Sequence, residues 1–225
     1  MSHLTTSSFL FFLGGLMAAP SWGQLDPMVP AHLPSLMQKV QAVKIHYIDR
    51  MDPVRSSKTE SMFGTIDSPP SRLLAVRGPF GHEDAENKEH GKGGLKLICE
   101  LQPNVERSWT AYYTNLKKGD AYFDASRFNY LSFWIRGEAG EEKIQVGLVD
   151  KQHEEAGTFG DTGTIEAYTQ RGIIDKEWQQ VKIPIDIFHV NTAELYQVLI
   201  FFDSKLYESA EPRNITIYLD DLAFE

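Results

Sequence analysis

The sequence predicts an all-β fold, a two-sheet antiparallel sandwich. Short segments rich in β-branched and aromatic residues recur in the second half of the 225-residue chain, turn-forming residues separate them, and no convincing helical stretch lies among them. The segments are residues 131–136, 144–149, 179–184, 197–202 and 215–224. A sandwich of this kind would carry out its function on its surface.

Residues 1–23 have the layout of a secretory signal peptide. The apolar run at residues 9–19 is too short to span a bilayer, and Gly23 supplies the small residue that signal peptidases need near the cut. The sequence therefore predicts a secreted or periplasmic protein, against the alternative of a disordered apolar N-terminus. No later segment is long and apolar enough for a membrane span.

Residues 24–42 are predicted to form a linker with a short amphipathic helix, and residues 43–225 a single domain. Apolar residues recur at helical spacing between Leu33 and Val40, which favours the helix. The length that remains after the leader suits one sandwich better than two domains.

The chain is acidic, with a formal net charge of −9 at pH 7. An acidic chain without a basic stripe repels phosphate backbones, so nucleic acid is not expected as a partner. Cys99 is the only cysteine and cannot form an internal disulfide. Because Cys99 alternates with Leu97 and Leu101, it is predicted to be buried and inert rather than reactive.

The first half of the domain contains fewer clear elements. Strands are predicted at residues 43–49, 95–101 and 109–116, with short pairing at residues 62–66. Two segments, residues 78–94 and 150–163, are rich in charge or glycine without apolar periodicity. Both are therefore predicted to be loops.

Four motifs follow one another along the domain. They are Gly91-Lys92 before a strand, Leu-Ser-Phe-Trp-x-x-Gly at residues 131–137, Trp-x-x-Val-x-Ile-Pro at residues 178–184 and Tyr-x-Asp-Asp-Leu at residues 218–222. In this order and spacing they resemble the non-catalytic carbohydrate-binding modules of the galactose-binding-domain-like β-jelly-roll type. The resemblance implies a jelly roll and a polysaccharide or oligosaccharide partner, and it specifies the fold better than the ligand.

The strand at residues 131–136 carries the first candidate sugar contacts. Its alternation places Phe133 in the core and both Trp134 and Arg136 on the outer face. A flat apolar ring beside a fork of donors complements a sugar, whose C–H face stacks on the ring while its hydroxyls bond to polar groups. The alternative is that the loop at residues 150–163 or the N-terminal helix covers Trp134.

Other segments supply the remaining binding candidates. Glu166 and Tyr168 share one face of residues 164–170, and Asp203 lies at the mouth of the strand at residues 197–202. That strand is apolar on both faces, so it is predicted to be central and covered on both sides. The carbohydrate-binding candidates are Trp134, Arg136, Tyr168, Glu166, Tyr112 and Asp203.

Tyr112 comes from the strand at residues 109–116, whose two faces both carry aromatic residues. Trp109 and Tyr113 share one face, and Tyr112 lies on the other. One face belongs to the core and the other can meet a ligand. Alternation alone does not say which.

The resemblance also implies a structural calcium ion. In such modules the first Asp of the closing strand helps to hold calcium, together with oxygens from the opening strand and from the loop before the Gly-Lys strand. The matching positions here are Asp220, Glu89, the backbone carbonyl of Lys92, and Asp49 or Asp52. Calcium needs several hard oxygen ligands, and ligands from distant segments would tie the sheet edges together.

The function that this sequence predicts is that of a secreted, non-enzymatic carbohydrate-binding protein. Asp220 and Asp221 are neighbours on a strand and point to opposite faces, so they cannot flank one glycosidic bond at the required separation of about 5 to 9 Å.

Two alternatives stay open. One is a glycoside hydrolase or polysaccharide lyase, for which Glu166, Asp203 and Arg136 are candidates without a recognisable catalytic spacing. The other is an assembly or interaction factor similar to complex I intermediate-associated proteins, which share parts of the Phe-Trp-x-x-Gly and Trp-x-x-Val-x-Ile-Pro patterns. The predicted signal peptide argues against this second alternative.

Overall fold

The structure is a computed structural model that describes residues 45–51, 62–82, 93–102, 108–207 and 212–225. The chain divides into two units, residues 1–41 and 42–225, and every described residue belongs to the second. The predicted signal peptide and N-terminal helix lie outside the described residues, as do Glu89 and Lys92.

Two antiparallel sheets form the domain. Sheet A has the order β3 (Arg72–Gly78), β4 (Gly94–Leu101), β11 (Arg213–Phe224), β6 (Tyr130–Gly137) and β9 (Gln179–Pro184), and β1 (His46–Asp49) also pairs with β11. Sheet B has the order β2 (Phe63–Asp67), β5 (Trp109–Asn115), β10 (Leu195–Asp203), β7 (Gln145–Asp150) and β8 (Gly160–Thr164). The predicted two-sheet antiparallel sandwich is confirmed.

The segment at residues 150–163, predicted to be a loop, contains two regular elements. Helix α1 (Lys151–Ala156) begins after Asp150, whose side chain caps it, and ends at Gly157 in the left-handed conformation with φ of 65°. Strand β8 follows. The helix buries none of its residues, which explains why it has no apolar periodicity to detect.

Two further differences concern β3 and residues 164–170. No strand was predicted for β3, because its apolar residues at positions 73–76 are consecutive and show no alternation with polar residues. In the structure β3 is an edge strand, in which Leu73 is buried and Leu74 is 57% exposed. Residues 164–170 are not extended, because Ile165–Tyr168 is a turn of 3-10 helix. Two more such turns lie at Ile185–Phe188 and Ser204–Leu206.

The core lies between the two sheets and is built by strand alternation. From sheet A, Leu131, Phe133 and Ile135 are fully buried, as predicted. From sheet B, β10 contributes the alternating set Val198, Ile200 and Phe202. Each such side chain contributes about 1.5 to 3 kcal/mol to the free energy of unfolding through burial of apolar surface.

A polar network is enclosed beside this apolar core. Arg77 donates hydrogen bonds to both carboxylate oxygens of Asp49, and its Nη2 also donates to Tyr112 Oη at 3.1 Å. Burial alone would lower the pKa of Arg77, but the hydrogen bond and charge of Asp49 outweigh it and raise the pKa above its ordinary value. Arg77 reaches this position from β3 and Tyr112 from β5, so the network joins the two sheets.

None of the helices in the described ranges is long and apolar enough to cross a membrane.

Candidate functional site

An open groove of about 560 Å³ lies on the outer face of sheet B. Its floor consists of Ala111 from β5 and of Leu199 and Phe201 from β10, which alternate with the core residues of those strands. Trp109 and Phe159 add aromatic rings to this floor. We call this feature the sheet B groove.

Three aromatic side chains are in contact within the groove. The rings of Trp109 and Phe201 have centroids 5.2 Å apart and planes inclined by 24°. Phe159 lies 5.3 Å from Phe201 at 46°. Trp109 is only partly buried, so part of its indole remains available to a ligand.

A glycine makes room for one of these rings. Gly147 on β7 pairs with Leu199 on β10, and a Cβ atom at Gly147 would lie 2.8 Å from Cδ2 of Phe159 and 3.4 Å from Cβ of Leu199. Because Gly147 has no side chain, the ring of Phe159 can lie over β7.

Helix α1 and the residues after it form one wall of the groove through His153, Glu154 and Thr158. Asp150 holds this wall, because its carboxylate accepts hydrogen bonds from the backbone N–H groups of His153 at 2.8 Å and Asn191 at 2.6 Å, and pairs with His153 Nδ1 at 2.7 Å. Burial would raise the pKa of Asp150, yet these hydrogen bonds lower it below its ordinary value.

Polar side chains at the wall are held by partners. Tyr122 Oη donates to Glu154 Oε2 at 2.7 Å, and Lys117 Nζ lies 3.6 Å from the same oxygen. The hydrogen bond with Tyr122, reinforced by Glu154, raises the pKa of Lys117. Gln197 Nε2 donates to Asn115 Oδ1 at 2.7 Å. The groove thus combines an aromatic floor with oriented hydrogen-bonding groups, which suits a ligand with both an apolar face and hydroxyls.

Trp134 and Arg136 lie on the outer face of sheet A, on the other side of the sandwich from the groove. The indole of Trp134 stacks on the imidazole of His82 with centroids 3.8 Å apart and planes at 9°. The guanidinium of Arg136 lies 3.6 Å from the ring centroid of Tyr218 and 5.5 Å from that of Trp178. Their predicted outward orientation agrees with the structure, but His82 covers one face of the Trp134 ring.

The other predicted contacts are dispersed. Tyr112 is 1% exposed and bonded to Arg77 inside the sandwich, so its predicted contact with a ligand is wrong. Tyr168 packs against the core from its 3-10 turn, and Glu166 lines a separate small cavity. Asp203 pairs with Trp109 at the end of β10, where its carboxylate accepts from the backbone N–H of Lys205 at 2.8 Å.

The groove contains residues whose orientation the sequence had left undecided. Trp109 shares the outer face of β5 with Tyr113, which resolves the two-face ambiguity of that strand. Strand β10 is central, as predicted, and its residues are buried on both faces, although Leu199 and Phe201 also line the groove.

The three candidate catalytic residues do not share one groove. Arg136 lies on the outer face of sheet A, Asp203 at the end of β10 in sheet B, and Glu166 at a small cavity lined by neither of them.

The predicted calcium ligands fit the ion unequally. Both oxygens of Asp49 bond to Arg77, whose positive charge would repel calcium, so Asp49 does not fit. The carboxylate of Asp220 accepts hydrogen bonds from the backbone N–H groups of His82 at 2.8 Å and Asp221 at 2.9 Å. Both of these donors are neutral amides, unlike the guanidinium of Arg77 that opposes calcium at Asp49. In the part of the chain that the structure describes, no group of three or more His, Cys, Asp or Glu side chains could hold a metal.

Residues 83–225, more than half of the chain, match the profile of a family described as carbohydrate binding domain 30. No curated protein matches the chain.

The solved structures with a similar fold include two carbohydrate-binding modules. The family 11 carbohydrate-binding module from Clostridium thermocellum, in complex with a β-1,3-1,4-mixed-linked tetrasaccharide, has a TM-score of 0.56 and 12% identity over 81% of this chain and 96% of the module. The family 30 module of a cellulosomal cellulase from the same organism has a TM-score of 0.55 and 18% identity over 81% of this chain and 97% of the module. At these identities the similarity shows the fold alone, and it confirms the predicted jelly roll.

Proposed function

We propose that the sheet B groove binds the glycan, because the chain belongs to the carbohydrate binding domain 30 family and is therefore a carbohydrate-binding protein. The observation that carries the proposal is the contact of Trp109, Phe201 and Phe159 on the floor of an open groove. Its volume falls within the range of about 300 to 1,000 Å³ typical of ligand sites.

The groove suits neutral sugar chains. Stacking of a pyranose face on Trp109 would supply apolar contact, while Glu154, His153 and Gln197 can bond to hydroxyls. The net charge of −9 and the carboxylate of Glu154 disfavour polyanionic glycans. Mixed-linkage β-1,3-1,4-glucan is a suitable first probe, since the structurally similar family 11 module was solved with a tetrasaccharide of that type.

Affinity electrophoresis in gels containing mixed-linkage glucan, hydroxyethyl cellulose, xylan or polygalacturonate tests this proposal. The wild-type protein is expected to be retarded by at least one neutral glycan and not by polygalacturonate. Trp109→Ala should weaken that binding at least about tenfold, since loss of a binding-site indole costs more than about 1.4 kcal/mol.

Trp134→Ala is the matched control, because it removes the same residue type from the opposite sheet. If the glycan binds in the sheet B groove, Trp134→Ala should bind it with the affinity of the wild type. If Trp109→Ala is retarded like the wild type and Trp134→Ala is not retarded, the proposed binding site in the sheet B groove is contradicted. The glycan would then bind on the outer face of sheet A, around Trp134 and Arg136. Melting curves of both variants check that any loss of binding is not loss of fold.

We also propose that binding is not accompanied by hydrolysis and that the protein is exported after removal of residues 1–23. Release of reducing sugar from the bound glycan would contradict the first statement. Mass spectrometry of the mature protein tests the second, since cleavage after Gly23 leaves Gln24 as the first residue.

Calcium remains a proposal that centres on Asp220. With Glu89 and the carbonyl of Lys92 it would form an oxygen site between segments far apart in sequence. Calcium should then raise the melting temperature of the chelator-treated protein, and Asp220→Asn should reduce this gain. If calcium leaves the melting temperature of the chelator-treated protein unchanged, the proposed calcium site at Asp220 is contradicted.

A further inference from the structure

Three buried oxygen atoms without a hydrogen-bond partner lie around one segment at the end of the sandwich. Among the described residues, the buried side-chain oxygens that lack a partner are Glu142 Oε2, Glu166 Oε2 and Gln179 Oε1. Each belongs to a residue next to Ile173 or Ile174. Glu142 forms a β-bridge with Ile174, Glu166 lines a cavity with both isoleucines, and Gln179 Nε2 donates to the carbonyl of Ile173 at 2.7 Å.

Glu142 is held firmly in this place. It is 6% exposed, and its Oε1 accepts a hydrogen bond from the backbone N–H of Ala139 at 2.6 Å. The carboxylate lies against Gly137, since a Cβ atom there would be 1.9 Å from Glu142 Oε2. A buried carboxylate oxygen without a donor or a cation is costly, because burial removes its hydration.

One cavity is lined by both Glu142 and Glu166. Its volume is about 180 Å³, and its lining includes Glu141, Glu142, Lys143 and Glu166. This exceeds the roughly 30 Å³ that one water occupies in the liquid, so an ion with several waters fits. We call it the end cavity.

Lys143 does not neutralise the two buried carboxylates. Its side chain is exposed and forms no ion pair with Glu142 or Glu166. Its backbone is fixed by Tyr207, whose Oη donates to the Lys143 carbonyl at 3.0 Å and accepts from the Lys143 N–H at 2.9 Å. Among the described residues, no cationic side chain forms an ion pair with either carboxylate of the end cavity.

We propose that the end cavity binds a hard divalent cation, with calcium as the best match. The carboxylates of Glu142 and Glu166 are its protein anchors, and water completes the coordination. Calcium takes six to eight oxygen ligands and accepts irregular geometry, whereas zinc prefers nitrogen and sulfur, which the lining does not offer. This site is separate from the one proposed at Asp220 on β11.

Thermal unfolding of the chelator-treated full-length protein, with calcium chloride or magnesium chloride added back, tests the proposal. At calcium about 100-fold above the dissociation constant, the wild-type melting temperature should rise by about 5 to 10 °C. Glu142→Gln/Glu166→Gln should lose the part of this rise that belongs to the end cavity, and with Asp220→Asn added it should lose the whole rise. Without metal the double variant should melt no lower than the wild type, because the change removes two uncompensated charges while nearly preserving shape.

Two parallel variants separate this site from its surroundings. Glu141→Gln alters an exposed residue of the same lining and should respond to calcium like the wild type. Asp220→Asn should keep the part of the response that belongs to the end cavity. A full calcium response in Glu142→Gln/Glu166→Gln, or no response of the wild type to either cation, would overturn the proposal.

Direct counting keeps the test decisive if the double variant does not fold. Equilibrium dialysis with radioactive calcium should show one ion fewer bound to Glu166→Gln, which changes only the less buried anchor. Equal stoichiometry in Glu166→Gln and the wild type, at calcium concentrations that saturate the wild type, would also overturn the site.

Discussion

Trp109 and Phe201 lie on neighbouring strands of sheet B and stack at 5.2 Å across the floor of its groove. Phe201 is 8% exposed, whereas Trp109 keeps part of its surface open. One ring is therefore the support and the other the accessible surface. A ligand that stacks on Trp109 meets an indole that its neighbour already holds in position, which reduces the entropy lost on binding.

Ligand binding should be visible in the fluorescence of Trp109. We expect glycan to shift the emission of the wild-type protein, because it would exclude water from the exposed part of this indole. The shift should disappear in Trp109→Phe and persist in Trp178→Phe. A shift that survives Trp109→Phe and disappears in Trp178→Phe would show that the ligand lies on sheet A.

Gly147→Ala should weaken binding by raising the groove floor. The new methyl group would lie 2.8 Å from the ring of Phe159, which must then move outward. We expect roughly a fivefold loss of affinity, about 1 kcal/mol, by titration calorimetry. Gly119→Ala is the control, since it adds strain at φ of 57° far from any neighbour and should leave affinity unchanged. Wild-type affinity in Gly147→Ala would contradict the role of Phe159.

Asp150 should make stability depend on acid pH. Its pKa is lowered in the folded state, so its contribution is complete above the unfolded pKa of about 3.9 and is lost as the pH falls through the folded value. Asp150→Asn should lower the free energy of unfolding by about 1 to 2 kcal/mol near neutral pH, because hydrogen bonds to a charged acceptor are worth more than those to a neutral amide, and the difference should narrow below about pH 4.

Urea unfolding of the wild type and Asp150→Asn over this pH range checks the expectation. Asp120→Asn, at an exposed carboxylate, is the control and should change little at any pH. A stability difference that stays constant down to the lowest pH would rule out the charge of Asp150 as its source. Weaker glycan binding by Asp150→Asn is also expected, because Asp150 caps the helix that forms the groove wall.

Cys99 should not react with thiol reagents in the native protein. Its side chain is fully buried, and burial raises the pKa of its thiol to about 11. Treatment with a disulfide reagent at mildly alkaline pH should label no native protein, and one thiol per chain in concentrated guanidinium chloride. Rapid stoichiometric labelling without denaturant would contradict the predicted inert core position.

Strands with strict alternation could be predicted from the sequence, and those whose faces are mixed could not. Strand β6 has only apolar residues on its inner face, so the outward orientation of Trp134 was correct. Strand β5 reverses the usual pattern, because its inner face carries Tyr112 between Thr110 and Thr114. Tyr112 can lie inside because Arg77 bonds to its hydroxyl, and that partner comes from a distant strand.

The location of the groove also depends on contacts that no local pattern contains. Phe159 reaches Phe201 only because helix α1 turns the chain back over β7 and Gly147 leaves space for the ring. The sequence offered the glycine and the aromatic residues but not their proximity. The strand order that places β10 between β5 and β7 could not be predicted from the sequence either.

Strand β10 has two sets of neighbours, and this limits how the protein can change. Val198, Ile200 and Phe202 pack in the core and fix the backbone of β10. The positions of Leu199 and Phe201 on the groove floor therefore cannot change without disturbing core packing and destabilising the domain. Helix α1 buries nothing and is free of that constraint. Substitutions that adapt the groove to new sugars are therefore expected mainly on helix α1, while the floor residues of β10 stay the same.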